Sequence, residues 1–396
     1  MTSTVDKQEL KNPDFLVFSD DWGEHPSSCQ HIFKHIAKDH RVLWVNTIGM
    51  RNPTLSWTDA RKAFLKVSKM FGKKLEPVPA GGNQNITVCQ PFMLPGNRSR
   101  AVRAFNAQSV TRKVSAIMSS LGMRDPICVT TVPNASEYTR LLNGRKVIYY
   151  CVDDFSLWPG LDAELVGEME SRLMARADRL VAVSSALFER IRTSGKPAYL
   201  LTHGVDIKLF SKPAAREHPV FIEIPKPRVG FFGLIDGRMD WDVVIPLARR
   251  MPDVAFVFAG PVDASAGELP SLKNLHFVGI LSYYSLPEFI RGVSALILPY
   301  KVNSLSNALS PLKLKEYIAT GKPVICATIE AAKEWSGAIA EPRALAEWET
   351  ALRGSLNVDA IASVNKAVSR LDGESWECKA QEFLEFCRPM EPIAQS

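Results

Sequence analysis

The stretch Ser310-Pro311-Leu312-Lys313-Leu314-Lys315-Glu316-Tyr317-Ile318-Ala319-Thr320-Gly321-Lys322-Pro323-Val324 reads as one helix-to-strand unit. Serine followed by proline suits the N-cap and first helical position, because the hydroxyl accepts from a free backbone N–H and proline lacks a donor that would go unused there. Gly321 closes the helix, and Pro323-Val324-Ile325 begins a strand. At about 100° per residue, Leu314, Tyr317 and Ile318 share a core-facing arc, while Lys313, Glu316 and Thr320 share the neighbouring arc. The positive helix end and its free N–H groups favour phosphate, Lys313 adds a charge, and Glu316 one turn later can accept from ribose hydroxyls. Taken alone, the same residues also describe a capped surface helix carrying a Lys–Glu pair three residues apart.

Working outward, short β-branched or apolar runs alternate with segments of helical period over most of the chain, the pattern of helices packed on a parallel sheet. The fold class is α/β. Strands are expected at Phe15 to Ser19, Arg41 to Thr47, Ile86 to Gln90, Ile127 to Thr131, Lys146 to Cys151, Arg179 to Val183 and Ala198 to Thr202, with helices at 27–39, 98–122, 134–142, 162–177 and 184–194. A Pro- and Lys-containing break from Ser211 to Pro227 precedes a second set of strands at Arg228 to Phe232, Ala255 to Ala259, Leu275 to Val278, Ala295 to Pro299 and Pro323 to Ala327. The expected division is 1–210, 211–370 and a C-terminal helical segment, 371–396. Neither half carries G-x-G-x-x-G after its first strand, which argues against a dinucleotide oxidoreductase.

Four ordered segments resemble GT-B glycosyltransferases. The 310–324 stretch resembles their nucleotide-sugar signature. His203-Gly204-Val205-Asp206 with Phe210 resembles the turn joining the domains of family 4 enzymes. Val229-Gly230-Phe231-Phe232-Gly233 followed by Asp240 resembles the strand and glycine turn that open their donor domain, and Phe256 to Pro261 with Asn274 to Gly279 resembles the next two strand-and-turn units. The resemblance implies two Rossmann-like domains facing a cleft, with the C-terminal helix crossing back to the first. It also implies a nucleotide-sugar donor, a UDP-sugar, held by Gly233, Arg238, Gly260, Pro261, Gly279, Ser310, Pro311, Lys313 and Glu316. Family members of the exopolysaccharide and xanthan glucuronosyltransferase type suggest a lipid-linked or glycan acceptor. One departure matters: the E-x7-E motif keeps its second carboxylate as Glu316, but its first position is Ala308. That departure leaves open a noncatalytic nucleotide-sugar-binding protein, and a GT-B epimerase, which would use the same donor domain without a second sugar substrate, is the other alternative.

Glycosyl transfer needs the leaving diphosphate stabilised, and inversion also needs a base for the acceptor hydroxyl. Two carboxylate-rich loops follow expected strands in the first half, where ligands of open parallel sheets collect. One is Ser19-Asp20-Asp21-Trp22-Gly23-Glu24-His25-Pro26, which makes Asp21, Trp22 and His25 candidates for the acceptor. The other runs from Cys151 to Gly160. The resemblance to xanthan-type enzymes makes Asp153 or Asp154 the candidate base, while residue type alone also fits turn caps.

Between Trp57 and Arg124 stand twelve Lys and Arg against two Asp and Glu, although the whole chain carries only +6. From Trp57 to Leu75, apolar positions 57, 60, 64, 67, 71 and 75 recur at steps of three and four, with six cations on the polar side. Such a helix suits an anionic bilayer, where polyprenyl-linked acceptors reside, and it also suits an ordinary amphipathic surface position. The seven scattered cysteines show no C-x-x-C spacing and read as reduced thiols. No signal peptide or membrane span is expected, nor a metal, an organic cofactor or a nucleic-acid partner. A cytoplasmic protein, peripheral on the inner face of the plasma membrane, is the expectation.

Overall fold

The computed structural model describes residues 12–23, 27–47, 78–80, 83–158, 160–212, 214–308, 312–356 and 368–388. The chain forms two compact units, Met1–Thr202 with Glu377–Ser396, and His203–Trp376. Both are α/β, as the alternation of apolar runs and helical segments requires.

In the first unit, strands β1 (Phe15–Ser19), β2 (Val42–Asn46), β3 (Val78–Ala80), β4 (Asn83–Cys89), β5 (Ile127–Thr130), β6 (Val147–Cys151), β7 (Arg179–Ala182) and β8 (Ala198–Leu200) form one sheet in the order β3-β4-β2-β1-β5-β6-β7-β8. Every pairing is parallel except β3 with β4. Strands β1, β5, β6 and β7 are buried at every position, which is why they read as unbroken apolar runs: helices cover both faces of such a sheet. The helices that return the chain begin at side-chain caps. Ser27, Ser99, Asp162 and Ser184 accept from the backbone N–H of Gln30, Val102, Leu165 and Leu187, so each helix starts at a position its sequence dictates.

Two elements differ from the sequence expectation. The helix expected at 134–142 is a 3-10 turn, Pro133–Glu137, followed by a single turn, Thr139–Leu142. Tyr138 leaves helical backbone between them and buries its ring beside Phe18, with centroids 5.3 Å apart. The antiparallel edge strand β3 was not expected, because Val78-Pro79-Ala80 is short and carries a proline of the kind that edge strands tolerate. The 57–75 segment lies outside the described residues.

The terminal helix, Trp376–Cys387, packs onto the first unit from Glu377 onward. Phe383 sets its ring edge-on to Phe33 and Tyr150, at 5.7 and 5.6 Å, and Phe386 stacks on Tyr199 at 4.6 Å. Lys146 donates its ammonium to the carbonyl of Cys387 at 2.8 Å, compensating one of the bare carbonyls at the helix end.

The second unit holds β9 (Arg228–Phe232), β10 (Ala255–Ala259), β11 (Leu275–Gly279), β12 (Ala295–Leu298) and β13 (Val324–Cys326), all parallel, in the order β11-β10-β9-β12-β13. The order reverses between β9 and β12. In open α/β sheets ligands collect outside the carboxyl ends of the strands at such a reversal. Among the described residues no helix is long and apolar enough to cross a membrane, and the seven cysteines are free thiols.

Candidate functional site

At the carboxyl end of β9 the chain turns through Gly233 with φ at +141°, a conformation that side chains rarely adopt. A Cβ built on Gly233 would lie 1.5 Å from Cε of Lys313, so the lysine stem lies directly over the bare glycine. Gly260, after β10, has φ at +144°, and a Cβ there would meet the Gly233 carbonyl oxygen at 1.9 Å. Two backbone bonds fix these turns to one another: Gly233 N–H donates to Ala259 at 2.8 Å, and Gly260 N–H to Gly279 at 2.7 Å. The Pro261 carbonyl accepts from Ile235 N–H at 2.9 Å, which anchors the loop that follows Gly233. Gly233, Gly260, Pro261 and Gly279 thus line the ends of three adjacent strands.

Lys313 is delivered by the helix Leu312–Ala319. The helix is clasped to β9 by the buried hydroxyl of Tyr317, which donates to the Phe232 carbonyl at 3.0 Å and accepts from the Phe232 N–H at 2.9 Å. The clasp satisfies the last backbone groups of β9 and fixes the height of Lys313 above Gly233. Ser310 and Pro311 lie outside the described residues.

Glu316 follows one turn after Lys313 and is buried, at 7% exposure. Burial pushes its carboxyl up to about 7, the Lys313 cation opposing and Asp206 adding to the rise. Asp206 caps the helix Ile207–Ser211 by accepting from Leu209 N–H at 3.0 Å. The phenol of Tyr283 is raised by burial and further by Glu316 and Asp206, which places all three polar groups in one neighbourhood. Sequence spacing did not reveal this convergence, since Asp206 and Tyr283 stand far from Glu316 along the chain. A carboxylate held close to neutral pH beside one lysine suits hydroxyl donors that can complete its hydrogen bonding.

Arg238 sits differently from the other donor candidates. Its guanidinium forms a two-pronged pair with Asp236, from Nη2 at 2.6 Å and Nε at 2.9 Å, and lies 5.1 Å from the ring centroid of Tyr300. Lys313 is therefore the cation seated over the glycine turn, with Arg238 engaged by its own loop. A cavity of about 360 Å³ opens at the ends of β12 and β13 beside the start of the helix Trp241–Arg250, lined among others by Asp240, Tyr300, Thr328, Arg343 and Trp348. It does not include Lys313 or Glu316, and we place the site by the glycine turn and its helix because convergent polar groups outweigh hollow volume.

In the first unit, the loop after β1 is built around Asp20. Its carboxylate accepts from Ser19 and Ser27 hydroxyls at 2.7 and 3.0 Å and from the Gln30 amide at 2.6 Å, so it organises the turn. Asp21 is half-buried, and its carbonyl accepts from the same Gln30 amide at 3.2 Å. Trp22 donates its backbone N–H to the Asn46 side-chain oxygen at 3.0 Å and packs its ring edge-on to Trp44 at 4.8 Å. His25 lies outside the described residues.

The loop after β6 carries Asp153 and Asp154, both half-buried. Asp154 caps the 3-10 turn Phe155–Leu157, with Oδ1 accepting from the Ser156 N–H at 3.1 Å, while Oδ2 faces Arg190 Nε at 3.6 Å. Below the loop, Glu170 accepts from the Tyr149 hydroxyl at 2.5 Å and from both terminal nitrogens of Arg190, at 2.6 and 2.9 Å. Among the described residues no group of three or more His, Cys, Asp or Glu could hold a metal ion.

The chain has the GT-B fold. Sucrose-phosphate synthase of Thermosynechococcus elongatus superposes with a TM-score of 0.68 at 13% identity, over 95% of this chain and 98% of that one. HepE of Anabaena, solved in complex with UDP and glucose, superposes with a TM-score of 0.64 at 13% identity, over 94% and 98%. In sequence, the chain is 27% identical over 215 residues to TuaH of Bacillus subtilis, named as a teichuronic acid biosynthesis glycosyltransferase. That match covers 49% of this chain and 53% of TuaH, so the chain spans about half the length of that curated relative. No protein-family model matches the chain.

Proposed function

We propose that this chain is a glycosyltransferase that moves a sugar from a UDP-sugar to a lipid-linked or polysaccharide acceptor during synthesis of a bacterial cell-surface polymer. The observation that carries the reading is the seating of Lys313 over the bare Gly233, with the buried Glu316 carboxylate one turn along the same helix. Phosphate can approach a glycine backbone closely, and Lys313 together with the helix start neutralises charge as it develops on the leaving diphosphate. Ribose hydroxyls can donate to Glu316, which the surrounding protein holds poised between its two protonation states. The fold shared with HepE, which binds UDP and glucose, and the likeness to TuaH support donor class and polymer role.

The acceptor side rests on the loops of the first unit. Asp153 or Asp154 takes the proton from the acceptor hydroxyl, and Asp21, Trp22 and His25 contribute to acceptor binding. Because Asp154 also caps its turn, Asp153→Asn is the cleaner first variant. The 57–75 segment gives peripheral contact with an anionic bilayer on the cytoplasmic face, where a polyprenyl-linked acceptor would be met.

Incubation with radiolabelled UDP- and GDP-sugars and a short-chain polyprenyl-diphosphate sugar tests the proposal by product. Sugar transferred to the acceptor supports it. Isomerised donor would identify an epimerase, and bound but unchanged donor a noncatalytic protein. For the base, Asp153→Asn or Asp154→Asn should lower turnover by roughly 10² to 10⁴ with UDP affinity intact.

A further inference from the structure

Arg190 makes more contact than a structural ion pair requires. It projects from the helix Ser185–Arg192 and uses both terminal nitrogens on Glu170, a buried carboxylate of the helix Ala163–Arg176 that also receives the Tyr149 hydroxyl. Buried ion pairs are costly to desolvate, and an apolar trio of similar volume would serve packing as well. One donor remains outside this arrangement. Arg190 Nε is buried and makes no hydrogen bond among the described residues, and the group it faces is Asp154 Oδ2 at 3.6 Å. That separation is an ion pair just beyond hydrogen-bond length. A guanidinium is rigid and planar, so fixing one edge on Glu170 fixes the direction of the other edge toward the loop.

We propose that Arg190 is a positioning residue for glycosyl transfer: anchored on Glu170 and Tyr149, it holds Asp154 and through it the Asp153-Asp154 loop in the geometry the acceptor hydroxyl needs. The inference rests on the assignment of the base to that loop. No atom of Arg190 need touch a substrate. Its effect is transmitted by a loop whose displacement of about 1 Å can cost on the order of 100-fold in rate.

The test is a double-mutant cycle in the full chain, read as transfer from whichever UDP-sugar of the labelled panel is turned over. Arg190→Gln should lower kcat by about 10- to 100-fold, with UDP affinity within about twofold of wild type. Arg190→Lys, which keeps the charge and one donor, should recover part of the loss and serves if the glutamine variant folds poorly. In an Asp154→Asn background the further effect of Arg190→Gln should shrink to less than about threefold, since residues acting through one another are non-additive. Losses that multiply independently, or that follow only the fraction of protein folded in thermal melts, would overturn the proposal. If Asp153→Asn and Asp154→Asn both transfer at wild-type rate, the base assignment fails and this inference with it. If one of them is inactive while Arg190→Gln is not, the inference alone fails.

Discussion

Replacing Glu316 with glutamine isolates one titration at the proposed donor site. In the folded protein burial lifts this carboxyl to about 7, against the pull of Lys313 and with Asp206 adding to the rise. In the unfolded chain it titrates at its ordinary value, 4.5. The folded state therefore holds the proton more tightly, so the associated stability is fully present below the unfolded value and is lost as pH rises through about 7. The difference corresponds to about 3 kcal/mol between those limits. Ligand binding should run the other way, because ribose hydroxyls donate best to the ionised form. UDP-glucose is the suitable probe, as its diphosphate has no group titrating in this range. Its affinity should rise about tenfold between about pH 6 and pH 8. Glu316→Gln should flatten both dependences and weaken UDP-glucose binding by about 1.5–3 kcal/mol, the loss of hydrogen bonds to a charged acceptor. Urea denaturation and calorimetry across the pH series measure both. Parallel stability curves for wild type and variant would show that Glu316 is not the titrating group, and unchanged affinity in the variant would remove the ribose contact.

Other substitutions separate binding from folding. Gly260→Ala brings a Cβ onto the Gly233 carbonyl, a backbone atom that cannot step aside, so a loss of roughly 2–4 kcal/mol in denaturation is expected. Gly233→Ala displaces the flexible end of Lys313 and also strains the backbone at φ +141°, so both nucleotide affinity in calorimetry and, by roughly 1–3 kcal/mol, stability should fall. Tyr317→Phe leaves the Phe232 N–H and carbonyl without their hydroxyl partner and should cost about 1–3 kcal/mol in chemical denaturation. Replacing Lys66, Lys69 and Lys73 by Glu should abolish co-sedimentation with anionic liposomes, since each cation near such a surface contributes about 1 kcal/mol. Sedimentation independent of anionic lipid content would argue against bilayer contact.

The strands were legible because most of them lie buried on both faces, and unbroken runs such as Val147–Cys151 and Ala255–Ala259 can hardly be read otherwise. The break at Tyr138 was not, because what ends the helix there is the packing of one ring against Phe18, a partner 120 positions earlier. The helix Leu312–Ala319 was legible for the opposite reason: Lys313, Glu316 and Tyr317 lie within about one turn, so periodicity alone relates them. What periodicity cannot supply is the other end of each interaction. Lys313 reaches Gly233, Tyr317 reaches Phe232, and Glu316 shares its surroundings with Asp206 and Tyr283.

The carboxylates after β1 and β6 show the same limit and its remedy. Strand-end position and residue type nominated Asp21 in the first loop and left Asp153 and Asp154 unranked in the second. Long-range partners supply the ranking. Asp20 receives three side-chain donors, and this explains why it organises its turn, whereas Asp154 divides its two oxygens between the turn it caps and Arg190. A carboxylate with that division is well placed to transmit position, since tightening the 3.6 Å gap to Arg190 would move the turn and the neighbouring Asp153 together. The buried Glu170 then has a structural role as the anchor of Arg190. Without its carboxylate the guanidinium would lose the edge that aims it toward Asp154.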